Sequence, residues 1–119
     1  MVKITFYKSN GVFYAFEETG HSGYADSGND IVCAAISAMT MLVVNAIEVS
    51  YASDVEYIID EKTTDIKVIA RGALPAYEES EQKRFAVSGI IQAFFFELND
   101  LVEEYYDFLT VDEVEEMIV

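Results

Sequence analysis

Residues 2–17 read VKITFYKSNGVFYAFE, and the fold is decided there. Val2, Ile4 and Phe6 alternate with Lys3, Thr5 and Tyr7, the period of a strand with one buried face. The pattern resumes from Val12 to Glu17 after Ser9-Asn10-Gly11. Asn and Gly both tolerate positive φ, so their place between two alternating runs predicts a hairpin. Further along, Val55 to Asp60 and Ile66 to Ala70 are two more strand-like runs, joined by the polar Glu61-Lys62-Thr63-Thr64-Asp65. They predict a second hairpin.

A helical pattern follows each hairpin. Ile31 through Val49 is apolar on nearly every side, with Asp30 where an N-cap belongs. Such a helix has to be covered all round, which one small sheet and one further helix cannot do, so part of it is expected to face a second subunit. From Glu78 to about Asp107 the chain reads as a long amphipathic helix whose stripe comprises Phe85, Ile91, Phe94, Phe95, Leu98, Leu101, Val102 and Tyr105. Arg71 to Tyr77, with Gly72 and the only proline, Pro75, reads as a loop. Thr110-Val111-Asp112-Glu113 has the form of a capping box and predicts a short terminal helix. The sum is one α+β domain over residues 1–119 in ββαββα order, a four-stranded mainly antiparallel sheet packed with two main helices. A chain of 119 residues closes one core and is too short for two.

Asp and Glu number 22 against 7 Lys and Arg, a formal charge of −15. Phosphate binding relies on cationic side chains displacing counterions, so direct nucleic-acid binding is not expected. The same field favours encounter with a basic partner. From Glu78 onward there are 12 acidic residues and only Lys83 and Arg84 as cations. As a solvated helical face, that region also serves solubility.

Cys33 is the only cysteine, which excludes an intramolecular disulfide and a metal site of several thiolates within one chain. A reducing cytosol is the expected compartment. The N-terminus has neither a charged leader followed by an apolar run nor a small-residue cleavage site, so no signal peptide is expected. Ser37, Thr40, Asn45 and Glu48 interrupt the apolar stretch after Asp30, which reads as a buried helix and not a membrane span.

The chemistry concentrates in residues 20–37, GHSGYADSGNDIVCAAIS. With Asp30 as N-cap, Cys33 falls at the third helical position, where backbone N–H groups and the helix dipole favour a thiolate. His21, the sole histidine, lies twelve residues upstream across a loop containing Gly20, Gly23 and Gly28. A thiolate beside an imidazole is the minimal machinery of nucleophilic acyl transfer. Asp30, Cys33 and Ser37 share a helix face by their spacing. Asp26 and Asp30 act the other way, since their charges raise a nearby thiol's pKa. The plain alternatives are an inert core cysteine, a surface histidine, a capping aspartate and a packing serine. A metal site of His21, Cys33 and an Asp matches no common structural zinc spacing.

The motif resembles the signature of the bacterial ribosomal-processing cysteine protease family, Prp. Gly20-His21, Tyr24-Ala25, Gly28, Asp30-Ile31-Val32-Cys33-Ala34-Ala35 and Ser37 all match its pattern, with no departure at the catalytic positions. The resemblance implies a His21–Cys33 dyad, supporting roles for Asp30 and Ser37, a homodimer and no cofactor. It also implies the substrate: the N-terminal extension of a large-subunit ribosomal protein, cut after a short hydrophobic segment ending in aromatics. On that reading residues 20–29 form a movable lid hinged at Gly20, Gly23 and Gly28, and N–H groups at the start of helix 31–49 stabilise the oxyanion. The rival is a non-catalytic acidic dimeric adaptor that binds a basic ribosomal component. A thiol redox sensor lacks a resolving cysteine in the chain and ranks last.

Overall fold

Asn10 and Gly11 turn the first hairpin with φ of 50° and 77°, the left-handed pair that a tight two-residue connection demands. Its strands are β1 (Val2–Ser9) and β2 (Val12–Thr19), in a computed structural model that describes residues 1–20 and 27–117 and, in the first helix, side chains from residue 31 on. Phe6 lies opposite Phe16, but the register slips between Tyr7 and Lys8 because β2 carries one extra residue there. This bulge reverses the alternation of β2, so that Phe13 and Phe16 both face the helices. The Phe13 ring lies 5.1 Å from Phe95, and the Phe16 ring 5.1 Å from Phe94.

The second hairpin is formed by β3 (Glu56–Ile59) and β4 (Ile66–Ile69), as the sequence predicts. Asp60 shapes its turn by accepting the backbone N–H groups of Lys62 at 2.8 Å and Thr63 at 3.0 Å. β4 joins β2 antiparallel, with Val68 opposite Phe16 and Ile66 opposite Glu18.

The sheet departs from expectation at its other side. It has five strands in the order β3-β4-β2-β1-β5, and β5 (Leu109–Glu115) runs parallel to β1, so the sheet is mixed. The capping-box reading of Thr110 to Glu113 is therefore corrected: this segment is a strand. Leu109, buried, and Val111, half-buried, supply the alternation, and the outer edge of β1 supplies the hydrogen bonds that a short isolated helix would lack. Main-chain bonds from Val2 to Phe108 and from Glu116 to Lys8 close its two ends.

Both helices lie on the face that carries Ile4, Phe6 and Phe16. Helix α2 (Glu81–Tyr105) is capped by Ser80, whose Oγ accepts the Lys83 N–H. Val87, Ile91, Phe94 and Leu98 are its buried residues, at spacings of four, three and four. Phe85 was expected in this stripe but is 69% exposed, because it sits two residues from Val87 and so on the opposite side of the helix.

Helix α1 (Ser27–Asn45) runs into a wider turn over Ala46–Ser50. It starts before Asp30, which is thus an internal helical residue and not the N-cap. Val32, Ile36, Val43 and Ile47 enter the core. The opposite side is not covered: Ile31 is 54% exposed, Leu42 63% and Val49 71%. Residues 31–50 and 81–105 are long and apolar enough to cross a bilayer by length and composition, yet in this fold both helices contribute to one core with the sheet.

Candidate active site

The end of β2 is the starting point, since the motif's first glycine, Gly20, follows it. Gly20 has φ +82°, and a Cβ at this position would fall on the carbonyl oxygen of Met1. Only glycine fits, for both steric and conformational reasons. Gly20 is thus a fixed point packed against the N-terminal strand. His21 and Gly23 lie outside the described residues, as does Asp26. Gly28 falls inside the first turn of α1 and not in a loop.

Two residues before Gly20 is a feature that the sequence reading missed. Glu18 is fully buried on the helix-bearing side of β2, and it accepts a hydrogen bond of 2.5 Å from Thr40 of α1. Thr40 is itself buried. A buried carboxylate is costly unless it is hydrogen-bonded, so this pair fixes the position of α1 along β2. The signal was present in the alternation: Ile4, Phe6, Phe16 and Glu18 share a side, and the acid among them needs a polar partner from the covering layer. Glu18 also acts beyond that bond. The Tyr57 hydroxyl on β3 is held above its ordinary pKa, first by burial and then by the nearby Glu18 charge.

Cys33 is half-buried, packs against the core, and takes part in no disulfide. It precedes Thr40 by seven residues, two helical turns, so the two side chains project from one side of α1. Thr40 reaches Glu18, so this side of the helix faces β2 two residues before Gly20. Cys33 lies about 10 Å along the axis from Thr40. Ser37, one turn beyond Cys33, is exposed, and Asp30 precedes Cys33 by three residues. The spacing that sets Asp30, Cys33 and Ser37 on one face therefore holds within a continuous helix.

The helix start differs in a way that affects the chemistry. With α1 beginning at Ser27, Cys33 is the seventh helical residue and its N–H falls within the helical ladder. The dipole effect fades within the first turn. Orphan N–H groups at residues 31–33, expected to hold an oxyanion and favour the thiolate, are therefore not supplied by this helix start. Among the described residues, no group of three or more His, Cys, Asp or Glu is placed to hold a metal ion.

No curated protein matches the sequence significantly. Among solved structures, SMU.848 from Streptococcus mutans is similar over 98% of this chain and 99% of its own, with 29% identity and a TM-score of 0.80. The ribosomal processing protease Prp from S. aureus, solved with a substrate peptide, shares the fold at a TM-score of 0.78 and 19% identity, covering 96% of this chain and all of that one. The same protease with a covalently linked product peptide gives a TM-score of 0.75 at 20% identity. The family model for cysteine protease Prp matches residues 1–110, so this chain belongs to the Prp family of cysteine proteases.

Proposed function

We propose that the chain removes the N-terminal extension of a bacterial large-subunit ribosomal protein, with Cys33 as nucleophile and His21 as general acid and base. The observation that carries this reading is the match of the cysteine protease family to residues 1–110, and the seven-residue spacing that sets Cys33 on the same side of α1 as Thr40, which bonds Glu18 two residues before Gly20, supports it. Cys33 Sγ attacks the scissile carbonyl carbon as His21 takes the thiol proton. The C–N bond then breaks, the leaving amine receives that proton, and a thioester remains. Water, deprotonated by His21, hydrolyses the thioester and restores the thiol. Because Cys33 lies beyond the first helical turn, activation of the thiol falls to His21 more than to the helix dipole. Asp30 and Ser37 are positioning residues for this pair.

The acting species is a homodimer that buries the outer side of α1, where Ile31, Leu42 and Val49 stand exposed in line. The substrate is basic, in keeping with the charge of −15. The test is incubation of the wild-type chain and of Cys33→Ala and His21→Ala with an extended ribosomal protein, read by mass spectrometry. The wild type should release one N-terminal fragment, and both variants should bind the substrate without cutting it. Cleavage by Cys33→Ala at the wild-type rate would show that another group is the nucleophile.

A further inference from the structure

The two edges of the sheet are unlike. At one, β5 carries Asp112, Glu113 and Glu115, and charges of this kind guard an edge against further pairing. At the other, β3 is Glu56-Tyr57-Ile58-Ile59, and all four residues are exposed. Among the described residues β3 pairs only with β4. The Asp60 N–H donates to the Asp65 carbonyl. By the alternation of an antiparallel pair, Ile58 and Asp60 therefore turn their backbone groups to β4, while Tyr57 and Ile59 turn theirs outward. This short edge, apolar from Tyr57 to Ile59, has no proline and no bulge, and it can accept another strand.

Two cavities lie on one face along this edge. The first, 540 Å³, is lined by Asp54, Glu56 and Glu78 with Arg71, and Lys83 Nζ stands at its rim on the Ala52 carbonyl, 3.2 Å away. The second, 240 Å³, is lined by Glu17, Asp60 and Asp65 with Lys67. Arg71 is paired with Glu56, and Lys67 with Glu17 at 3.5 Å. Carboxylates outnumber cations in both linings. The N–H groups of Thr63 and Lys62 hold the Asp60 pKa below the ordinary aspartate value. Glu56 and Ile58 are two apart on β3, so the cavities follow the alternating side-chain period of a strand laid beside it.

We propose that the outer edge of β3 docks an extended basic peptide as a sixth strand, with alternate Lys or Arg side chains entering the two acid-lined cavities. A second copy of this chain is the poorer occupant: antiparallel self-pairing brings the Asp54–Glu56 end of one copy against the Asp60–Glu61 end of the other, like charge on like. β3 is parallel to β2, since both oppose β4, and Ile59 stands in the same row as Ile66 and Glu18. The docked strand therefore runs roughly 14 Å, three strand spacings, from Glu18 toward the sheet end where Gly20 leaves. Only the source of the peptide, the body of a basic substrate, rests on the function proposed above.

The experiment uses the full chain carrying Cys33→Ala and a fluorescein-labelled peptide of alternating Lys and Val, read by anisotropy. Saturable binding is expected, much weaker for an alternating Thr and Val peptide. Ile59→Pro removes an outward N–H and leaves the β3–β4 ladder intact. It should weaken binding about tenfold, the effect of losing a main-chain hydrogen bond with its local fit. If circular dichroism shows that Ile59→Pro unfolds, Ile59→Lys, at an exposed site, takes its place with the same expected loss. Unchanged affinity in the folded variant overturns the proposal. So does a fall in sedimentation mass with peptide binding unaffected, which would make β3 a self-interface. Cleavage is scored separately: if Cys33→Ala still cuts an extended substrate, the protease assignment fails while the docking result stands.

Discussion

Gly20 joins backbone geometry to the proposed chemistry at a single position. Its φ of +82° lies in the left-handed region, and the Met1 carbonyl occupies the place where a Cβ would go. Gly20→Ala must shift either the β2 exit or the start of β1. The expected cost is about 2 kcal/mol, roughly 8 °C in Tm for a domain of this size. A differential scanning melt checks that value, and a cleavage assay at a temperature where the variant is folded checks the rest. Cleavage should fall much further than stability alone accounts for, because the displaced residue adjoins His21. A variant with lowered Tm and unchanged turnover would place the support of His21, the proposed general base, elsewhere. The sequence displayed the Gly-His pair, yet a glycine in a polar stretch reads equally as a hinge. What makes Gly20 a fixed point is Met1, nineteen residues away, and no local pattern carries that contact.

At the level of elements, legibility followed the range of the forces involved. The first hairpin was readable because Asn10-Gly11 and the alternation around it are local, and α2 because its apolar period is sustained over many turns. β5 was misread because its identity depends on the open edge of β1, a hundred residues earlier. The start of α1 was misread because Asp30 makes a good cap in isolation while Ser27 onward is helical. The Asp60 turn can be tested through its charge. Its carboxylate is stabilised by N–H donors that the unfolded chain lacks, so its folded pKa is depressed. That contribution is fully present above the ordinary aspartate value of about 4 and is lost as pH falls through the lower folded value. The amide shifts of Lys62 and Thr63 should therefore titrate together below that ordinary value. In Asp60→Asn, which keeps an acceptor but cannot titrate, the step should vanish. Its persistence would assign the titration to another carboxylate.

For the whole molecule, two associations draw on opposite physics, and salt separates them. The proposed dimer buries the line of Ile31, Leu42 and Val49 on α1, apolar surface whose burial is worth about 25 cal/mol per Å². It also brings together two chains of charge −15, which repel. Exposed charges are screened within about 8 Å at physiological ionic strength. Raising salt should therefore tighten the dimer, while the apolar contact is barely changed. Encounter with a basic substrate behaves in the reverse sense, because the same charge attracts it, and its association rate should fall several-fold over the same range. Turnover of a short, nearly neutral peptide spanning the cleaved bond should hardly move, since no long-range attraction is at stake. Sedimentation at micromolar concentration checks the first half: a dimer that strengthens with salt, and a monomer when Leu42→Lys sets a charge in the line. Stopped-flow association with the intact substrate checks the second. If the dimer weakened with salt, ion pairs and not the α1 face would hold it, and the exposed apolar line would need another partner.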